Sequence, residues 1–501
     1  MPFDPELLKK RDELFAKEIH PYPYSFDITQ TLTELRDQSE QLLEKDGLKV
    51  AGRITAVRKQ GKRVLFMDLE DFDGHLQLYV KQDDLSAKDW EAAGLSDIGD
   101  WIGCCGKLSK TKTGELTLWC REFHILGKAV IRVPISKSKG EQSFYQLADP
   151  EIIYRQRYLH WITNKEARKV MVTRSKIISE IRKFMEGREF LEVLTPTIEM
   201  VYGGAAARPF ETSIHALGDQ KAYLRISPEL PLKKFIVGGF PRVYTICQNF
   251  RNEGMDRLHN PEFTMMEWYE AYTDYNYQMK QFEDLVSTVI EKVLGTTKIN
   301  HQGTDLDFTP PWARITMMDA IKQLGGLEVE KLSDQQLIEQ AKLVDPKFEV
   351  PKPFSRGHLI AFLFEELCEK KIVQPTFVID HPIEISPLTK KKRGNPMLVE
   401  RFEPYVMGVE IGNAYSELTD PVEQFERLKE QREYDADAIK KDGVAHHPVD
   451  LDFIEAMGLG MPPTGGVGLG IDRLVMFITN QPSIRDVIPF PMMRALDAPK
   501  E

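Results

Sequence analysis

The sequence predicts an α+β protein with two main domains, a small closed β-barrel and a larger domain built on an antiparallel β-sheet flanked by helices. Five short strand patterns separated by turn signals follow one another within residues 48–126, which is typical of a small barrel. After them, helices and strands alternate without the regular βαβ rhythm of a parallel sheet. The 501 residues are also too many for one ordinary core.

The N-terminal third contains three predicted parts. Leucines at helical spacing predict a helical extension over residues 1–45. Residues 46–140 form the predicted barrel domain, and residues 141–160 form a polar linker. The predicted barrel strands are Leu48–Val57, Arg63–Leu69, His75–Lys81, Trp101–Leu108 and Glu115–Leu126.

The larger domain is predicted to cover residues 161–501. Its first element is a helix from Asn164 to Gly187, because Ile177, Ile181 and Met185 fall at helical spacing. A helical insertion is predicted near residues 330–372.

Composition narrows the class of protein. Charged residues make up 29% of the chain and hydrophobic residues 42%, as in globular proteins. No apolar run approaches the roughly 18 residues that a membrane span needs, and we expect neither a secretory signal nor membrane association. Five cysteines without a CxxC pair make a disulfide framework improbable, so a cytoplasmic location is expected.

The net charge of −11 seems to argue against a nucleic-acid partner, but the charge is uneven. Residues 52–63 carry five Lys/Arg and no acid. A local basic patch fits contact with a phosphate backbone at one place, and charge alone fits solvated strand edges equally well.

One short segment concentrates groups suited to a nucleotide. Arg251 follows a strand pattern, and its forked donors match two oxygens of a phosphate at once. Phe263 offers an aromatic face, while Glu253 and Glu267 offer carboxylates. An isolated arginine in a turn is more often a surface ion pair, but this combination suits an enzyme that activates an amino acid with ATP.

Two further segments support that interpretation. A glycine-rich run from Gly465 to Gly470 precedes Arg473 and an apolar helix, and glycines permit close approach of the backbone to a ligand. Glu403 and Glu410 lie across a strand–turn pattern, where two carboxylates can share Mg²⁺ with substrate phosphates. Two independent surface glutamates are the alternative for the latter pair.

These segments resemble the three motifs of the class II aminoacyl-tRNA synthetases, and in detail the lysyl-tRNA synthetases. Motif 1 corresponds to the helix through Gly187 and to Phe190–Pro196, motif 2 to Arg242–Glu267, and motif 3 to Pro462–Ile478. The stretches that carry the closer resemblance are Gly203–Phe210, Ser227–Leu230, Asn249–Gly254, His259–Glu267 and Glu410–Leu418. The resemblance covers about Leu48 to Arg494 and implies an OB-fold anticodon-binding barrel followed by a catalytic domain.

The resemblance also implies the roles of individual residues. It implies that Arg251 and Arg473 are the catalytic residues. The implied lysine-binding residues are Gly204, Glu229, Arg251, Glu267, Tyr269, Asn413, Tyr415 and Glu417. The implied ATP-binding residues are Arg251, Glu253, His259, Phe263, Glu403, Glu410 and Arg473, with Glu403 and Glu410 as ligands of a Mg²⁺ cofactor.

In the barrel, the resemblance implies that Phe66, Gln77 and Glu115 contact the anticodon of a lysine-specific tRNA. Without the resemblance, a core position would be the better prediction for Phe66 than contact with the anticodon. The family further implies a homodimer whose two-fold interface contains the motif 1 helix and Pro196.

Three departures from the family pattern concern loops. Arg257 precedes His259 by two positions, where bacterial relatives usually place the arginine directly before the histidine. Residues 443–447 replace an acidic loop, and Gly458 stands where the family often has Glu. These changes bear on loop dynamics and rate more than on the substrate.

Three other functions are alternatives to the activation of lysine. A synthetase paralogue that lysylates a protein would typically lack the barrel. A non-catalytic OB-fold RNA-binding protein would not need Arg251, Arg473, Glu403 and Glu410. Aspartyl or asparaginyl specificity is opposed by Glu417, because an anionic substrate should meet a cation at that position.

Overall fold

The structure, a computed structural model, describes residues 3–134, 137–139, 142–144, 147, 149–350, 354–442 and 448–495. The chain forms two compact units, Met1–Arg168 and Lys169–Glu501. Parts of the predicted linker and the substituted loop at 443–447 lie outside the described residues. Within the described residues, no helix is both long enough and apolar enough to cross a membrane.

The first unit contains a closed five-stranded barrel. The helices of this unit are α1 (Pro5–Ala16), α2 (Leu32–Asp37), α3 (Ser39–Leu42), α4 (Ala87–Leu95), α5 (Pro150–Arg155) and α6 (Arg157–Thr163). The barrel strands are β1 (Leu48–Gln60), β2 (Val64–Glu70), β3 (His75–Lys81), β4 (Trp101–Lys110) and β5 (Leu116–Gly127), and β6 (Lys137–Lys139) and β7 (Gln142–Phe144) form a separate pair.

The barrel strands follow the order β1-β2-β3-β5-β4, and only β3 and β5 run parallel among the paired strands. Inward side chains such as Val50, Met67, Leu78 and Leu118 are buried in one apolar core, as period-2 alternation requires. The five predicted strands are therefore confirmed. β1 extends beyond its predicted end because it pairs with β2 as far as the turn at Gly61, whose φ of 67° suits glycine.

The second unit is built on a ten-stranded sheet. Its helices are α7 (Lys165–Glu186), α8 (Glu229–Val237), α9 (Tyr275–Leu294), α10 (Met317–Ala320), α11 (Asp334–Val344), α12 (Arg356–Leu367), α13 (Pro421–Asp442), α14 (Leu451–Gly458), α15 (Ile471–Ile478) and α16 (Ile484–Val487).

The strands outside the large sheet are β9 (Ile198–Glu199), β10 (Glu211–Ile214), β11 (Gln220–Leu224), β14 (Lys298–His301) and β15 (Thr304–Asp307). The strands of the large sheet are β8 (Leu191–Glu192), β12 (Arg242–Phe250), β13 (Glu262–Ala271), β16 (Ala313–Thr316), β17 (Thr376–Pro382), β18 (Lys391–Lys392), β19 (Asn395–Val406), β20 (Val409–Glu410), β21 (Gly412–Ser416) and β22 (Thr464–Gly470).

The main path of this sheet is β16-β17-β19-β21-β22-β13-β12-β8. All neighbours along it are antiparallel except the two edge pairs, β16–β17 and β12–β8. The predicted α+β class is thus confirmed.

The sheet separates an apolar core from a polar face. Trp268 of β13 packs in the core with Phe282 of α9, which also contacts Phe402. Because successive side chains of a strand point to opposite faces, the neighbours of Trp268, Glu267 and Tyr269, point to the other face.

Candidate active site

A cavity of about 340 Å³ is formed on the polar face of the sheet in the second unit. Of the residues predicted to bind lysine, ATP or metal, those that line it are Gly204, Glu229, Arg251, Glu253, His259, Phe263, Glu267, Tyr269, Glu403, Glu410, Asn413, Tyr415 and Arg473. Glu417 does not line the cavity. It is buried beside Gly466, which does.

The glycine-rich run forms the floor of this cavity. It is part of strand β22 inside the large sheet, and α15 begins directly after it, where the sequence predicts an apolar helix. Tyr269 and Tyr415 from the flanking strands both pair with Gly466, while Glu267 pairs with Gly468. Side chains at paired positions share a face of a sheet, so the missing side chains of β22 leave space between those of β13 and β21.

Glu267 is a buried carboxyl held by two hydroxyl groups. Ser227 Oγ donates to its Oε1 over 2.8 Å, and Tyr269 Oη donates to its Oε2 over 3.1 Å. Burial, and then the nearby Glu229, raise the pKa of Glu267 to about 8. A cation placed in the cavity would therefore stabilise the ionised form of this carboxyl.

The sequence did not predict a role for Lys233, which lies between two of the predicted lysine ligands. Its Nζ is 2.6 Å from Glu229 Oε1 and 2.5 Å from Glu417 Oε2, and its side chain is fully buried. The other oxygen of Glu229 accepts a hydrogen bond of 2.7 Å from Tyr415 Oη. The spacing Glu229 to Lys233, i to i+4 on a helix, was the available signal.

Neither carboxylate oxygen of Glu417 has a hydrogen-bond partner among the described residues, although Oε2 forms the ion pair with Lys233. The other oxygen, Oε1, lies so close to Gly466 that a β-carbon there would approach it to 1.9 Å. Burial is the main cause that raises the pKa of Glu417 well above its ordinary value, and Lys233 opposes that shift. A buried acceptor without a partner is unusual and marks a place for an external donor.

Two arginines, Arg251 and Arg473, line the cavity, and one of them lies over an aromatic ring. The Arg251 guanidinium carbon lies 5.2 Å from the centre of the Phe263 ring. Arg473 Nη1 donates to Glu410 Oε2 over 3.2 Å, and its Nη2 lies 3.2 Å from His259 Nε2. Burial lowers the pKa of Arg251, and the cavity carboxylates, led by Glu410, oppose the shift.

Glu403 and Glu410 both line the cavity, and each has a cationic neighbour. Arg401 Nη2 donates to Glu403 Oε1 over 2.6 Å, and its Nε donates to Asn413 Oδ1 over 3.0 Å. Although burial would raise it, the pKa of Glu403 is held well below its ordinary value by Arg401 and then His381. Arg401, which sequence reasoning missed, thus connects the predicted metal ligand Glu403 to the predicted lysine ligand Asn413.

A second buried network fixes the start of α15, which carries Arg473. Asp472 forms an ion pair with Arg174 of α7 and accepts a hydrogen bond of 2.7 Å from the Thr264 backbone nitrogen. Arg174 also donates to Thr264 Oγ1 over 2.8 Å. The helix start is therefore attached to both α7 and β13.

Arg257, the displaced loop arginine, does not line the cavity. Its guanidinium donates to the Pro482 carbonyl oxygen from Nη2 over 3.0 Å and from Nε over 3.2 Å.

On the barrel, the residues predicted to contact the anticodon lie near an aromatic row. Phe66, Tyr79 and Trp119 occupy paired positions on β2, β3 and β5, with ring centres 5.3 Å and 4.4 Å apart. Gln77 accepts a hydrogen bond of 3.0 Å from Thr117, and Glu115 is exposed at the turn before β5. The sequence did not predict Tyr79 and Trp119 because only strand register places them beside Phe66.

Comparison with known proteins agrees with this fold. Residues 149–494 match the family model described as tRNA synthetases class II (D, K and N), and residues 48–126 match the OB-fold nucleic acid binding domain. The fold and site define a class II aminoacyl-tRNA synthetase with an N-terminal OB-fold.

Relatives cover nearly the whole chain. A lysine–tRNA ligase of Clostridium perfringens (strain SM101 / Type A) is 44% identical over 98% of this chain and 96% of its own length. A lysine–tRNA ligase of Thermoanaerobacter sp. (strain X514) is 46% identical over the same shares, and one of Carboxydothermus hydrogenoformans is 45% identical over 98% and 97%. The chain belongs to the class II lysine–tRNA ligase family, which confirms the resemblance seen in the sequence.

Proposed function

We propose that this protein activates L-lysine with ATP to give lysyl-adenylate and pyrophosphate, and then transfers lysine to the 3′-terminal adenosine of a lysine-specific tRNA. The observation that carries the proposal is the charge of the buried cluster Glu229, Glu267, Glu417 and Lys233. When ionised, its three carboxylates exceed its one ammonium by two negative charges. The two ammonium groups of free lysine would balance these two excess negative charges.

The cavity offers a ligand for each end of the substrate. Glu229 and the Gly204 backbone would hold the α-ammonium group, and Arg251 with Asn413 would hold the carboxylate. The ε-ammonium group would lie toward Tyr269 and Glu267 and supply the donor that Glu417 Oε1 lacks. A neutral or anionic side chain would leave these buried carboxylates without a partner, which costs about 2–5 kcal/mol.

The adenylation step needs no side-chain nucleophile. Phe263 would stack on adenine, with Glu253 and His259 contacting the nucleotide. A lysine carboxylate oxygen attacks the α-phosphorus, and the bond to the pyrophosphate oxygen breaks. Arg251 would stabilise the charge that develops on the α-phosphate, and Arg473 the charge on the leaving group.

Transfer is a second displacement in the same site. The terminal ribose hydroxyl of tRNA attacks the acyl carbon, and AMP leaves with the electron pair of the anhydride bond. The positioned carboxylates keep the lysine end fixed through both steps.

The donor set fits a magnesium ion that is shared with ATP. Glu403 and Glu410 line the same cavity, and within the described parts of the chain no group of three or more His, Cys, Asp or Glu is placed to hold a metal alone. The two carboxylates would hold Mg²⁺ together with phosphate oxygens. When bound, the ion would neutralise phosphate charge.

The protein is also proposed to form a homodimer and to be located in the cytoplasm. Strand β8 and the segment after it expose apolar side chains, and Leu194 is 93% exposed. The others in this segment are Leu191, Ile198, Met200 and Val201. Such a patch is typical of an interaction surface.

Sedimentation can test the dimer. Leu194→Glu should give monomers. Leu343→Glu, which changes a 74% exposed leucine on α11, should leave dimers intact. Monomeric wild-type protein at micromolar concentration would refute the homodimer.

The activity is tested by amino-acid-dependent ATP–pyrophosphate exchange followed by charging of bulk tRNA. Lysine alone should support exchange strongly. Charging of a protein instead of tRNA would favour the paralogue, and absence of exchange with every amino acid would favour a non-catalytic RNA-binding protein.

A further inference from the structure

Lys233 is a buried cation that contacts the wall of the proposed amino-acid site through Glu229, and it is not one of the residues that the family resemblance assigns to lysine. Its side chain has no exposed surface, and its ammonium touches both Glu229 and Glu417. These two carboxylates come from different parts of the chain, α8 and the residue after β21. Lys233 therefore ties together two walls of the site.

Among the described side chains that contact Lys233, none is a cation. Its own helix presents Glu229, and the β21 side presents Tyr415 and Glu417. From α14, the Phe453 ring lies 5.9 Å from the ammonium. β13 contributes Glu267, whose charge raises the pKa of Glu417, and Tyr269, whose own pKa is raised by burial and then by Glu229, Glu267 and Glu417.

A buried lysine would ordinarily lose its proton. Burial lowers the pKa of Lys233, but Glu229 and Glu417 outweigh this, and the net shift is upward. The ammonium therefore stays charged, so the positive charge of Lys233 is a permanent part of the pocket.

We propose that Lys233 is a positioning residue for lysine specificity, which holds Glu229 and Glu417 in place and neutralises one of the three carboxylates in the cluster. The pocket then accepts two further ammonium groups, which is the number that free lysine has. The inference rests on the proposed function, because it assigns a part of the same amino-acid site.

If the ion pairs of Lys233 were purely structural, lysine binding by a Lys233 variant would depend on pH in a different way. Without Lys233, the carboxylates bind protons more tightly, and the substrate must displace those protons. The defect in lysine binding should therefore shrink as pH rises, whereas a distorted fold would weaken lysine and ATP alike at every pH.

The test compares Lys233→Met with Lys234→Met in the full-length enzyme. Lys234, the next residue, is partly exposed and pairs with Asp452 and Asp450, so its loss leaves the cluster intact. KM for lysine and for ATP would be measured by pyrophosphate exchange from pH 6.5 to 9. Thermal unfolding and ATP binding would show that each variant is folded, and Lys233→Gln serves as a second variant.

Lys233→Met should raise KM for lysine by at least about tenfold at pH 7 with little change in KM for ATP. This increase should fall several-fold by pH 9, and Lys234→Met should behave as the wild type. A lysine defect that is independent of pH, or one matched by ATP, would overturn the role of Lys233. If folding fails in both variants at Lys233, its role is structural and the inference is also overturned. Absence of lysine-dependent exchange in the wild type would instead refute the proposed function.

Discussion

The carboxylate of Glu417 lies against Gly466, at a distance that admits no β-carbon between them. A β-carbon at Gly466 would also come within 2.5 Å of the Tyr269 ring. Glycine in the middle of a central strand is normally unfavourable, because it packs nothing and costs backbone entropy. Here it makes room for the residue that is proposed to select lysine.

Gly466→Ala should therefore weaken lysine binding. The methyl group must displace Glu417 or Tyr269, at a cost of about 1–3 kcal/mol for overpacking, which corresponds to roughly 5- to 150-fold in affinity. Isothermal titration of lysine would measure it. Gly458→Ala is the control, since Gly458 does not line the cavity and a β-carbon there would meet nothing within 4 Å. Equal lysine affinity in Gly466→Ala and wild type would contradict the proposed place of Glu417.

Lysine binding should strengthen as pH rises toward 8. With its pKa raised to about 8, Glu267 is mainly protonated in the empty pocket at neutral pH. A bound ammonium group favours the ionised form, so binding is coupled to loss of the proton. The dissociation constant should fall with pH by up to about tenfold per unit below that pKa. Titrations between pH 6.5 and 8.5 would test this, and Glu267→Gln should flatten the dependence; a wild-type constant that does not change would refute the coupling.

Trp119 should contribute to tRNA binding. Its side chain is 38% exposed and continues the row of Phe66 and Tyr79. Stacking of one base contributes about 1–3 kcal/mol, so Trp119→Ala should raise KM for tRNA about tenfold while leaving pyrophosphate exchange unchanged. Phe72→Ala, which removes a 55% exposed aromatic ring outside the row, is the control. Equal effects of the two substitutions would argue against a specific platform.

Gly458→Ala should stabilise the protein. Gly458 ends α14, its φ is not positive, and a β-carbon there would meet nothing within 4 Å. Alanine should add about 0.5–1 kcal/mol by reducing the entropy of the unfolded chain. Thermal unfolding would detect it, with exchange activity unchanged. A lower melting temperature would show that this position needs glycine.

Much of the fold could be predicted because it depends on local pattern. Burial alternates along most of β1 and along β2, and the turn at Gly61 separates these two strands. The same holds for α7, whose buried residues keep helical spacing. Motif residues such as Arg251 and Glu267 came from the resemblance rather than from periodicity.

What could not be predicted depends on contacts between distant segments. Lys233 and Glu417 are far apart in the chain, and nothing local shows that they meet. Trp119 joins Phe66 only through the register of three strands. The glycine run was expected to precede a helix but was not predicted to be a strand, because a strand with few side chains has little hydrophobic pattern to reveal it.

The most direct test of the central claim is ATP–pyrophosphate exchange with each of the twenty amino acids, for wild type, Arg251→Ala and Glu417→Gln. Strong exchange is expected with lysine only in the wild type, and it should collapse in both variants. Strong exchange with aspartate or asparagine, or lysine exchange that survives Glu417→Gln unchanged, would contradict the proposed specificity.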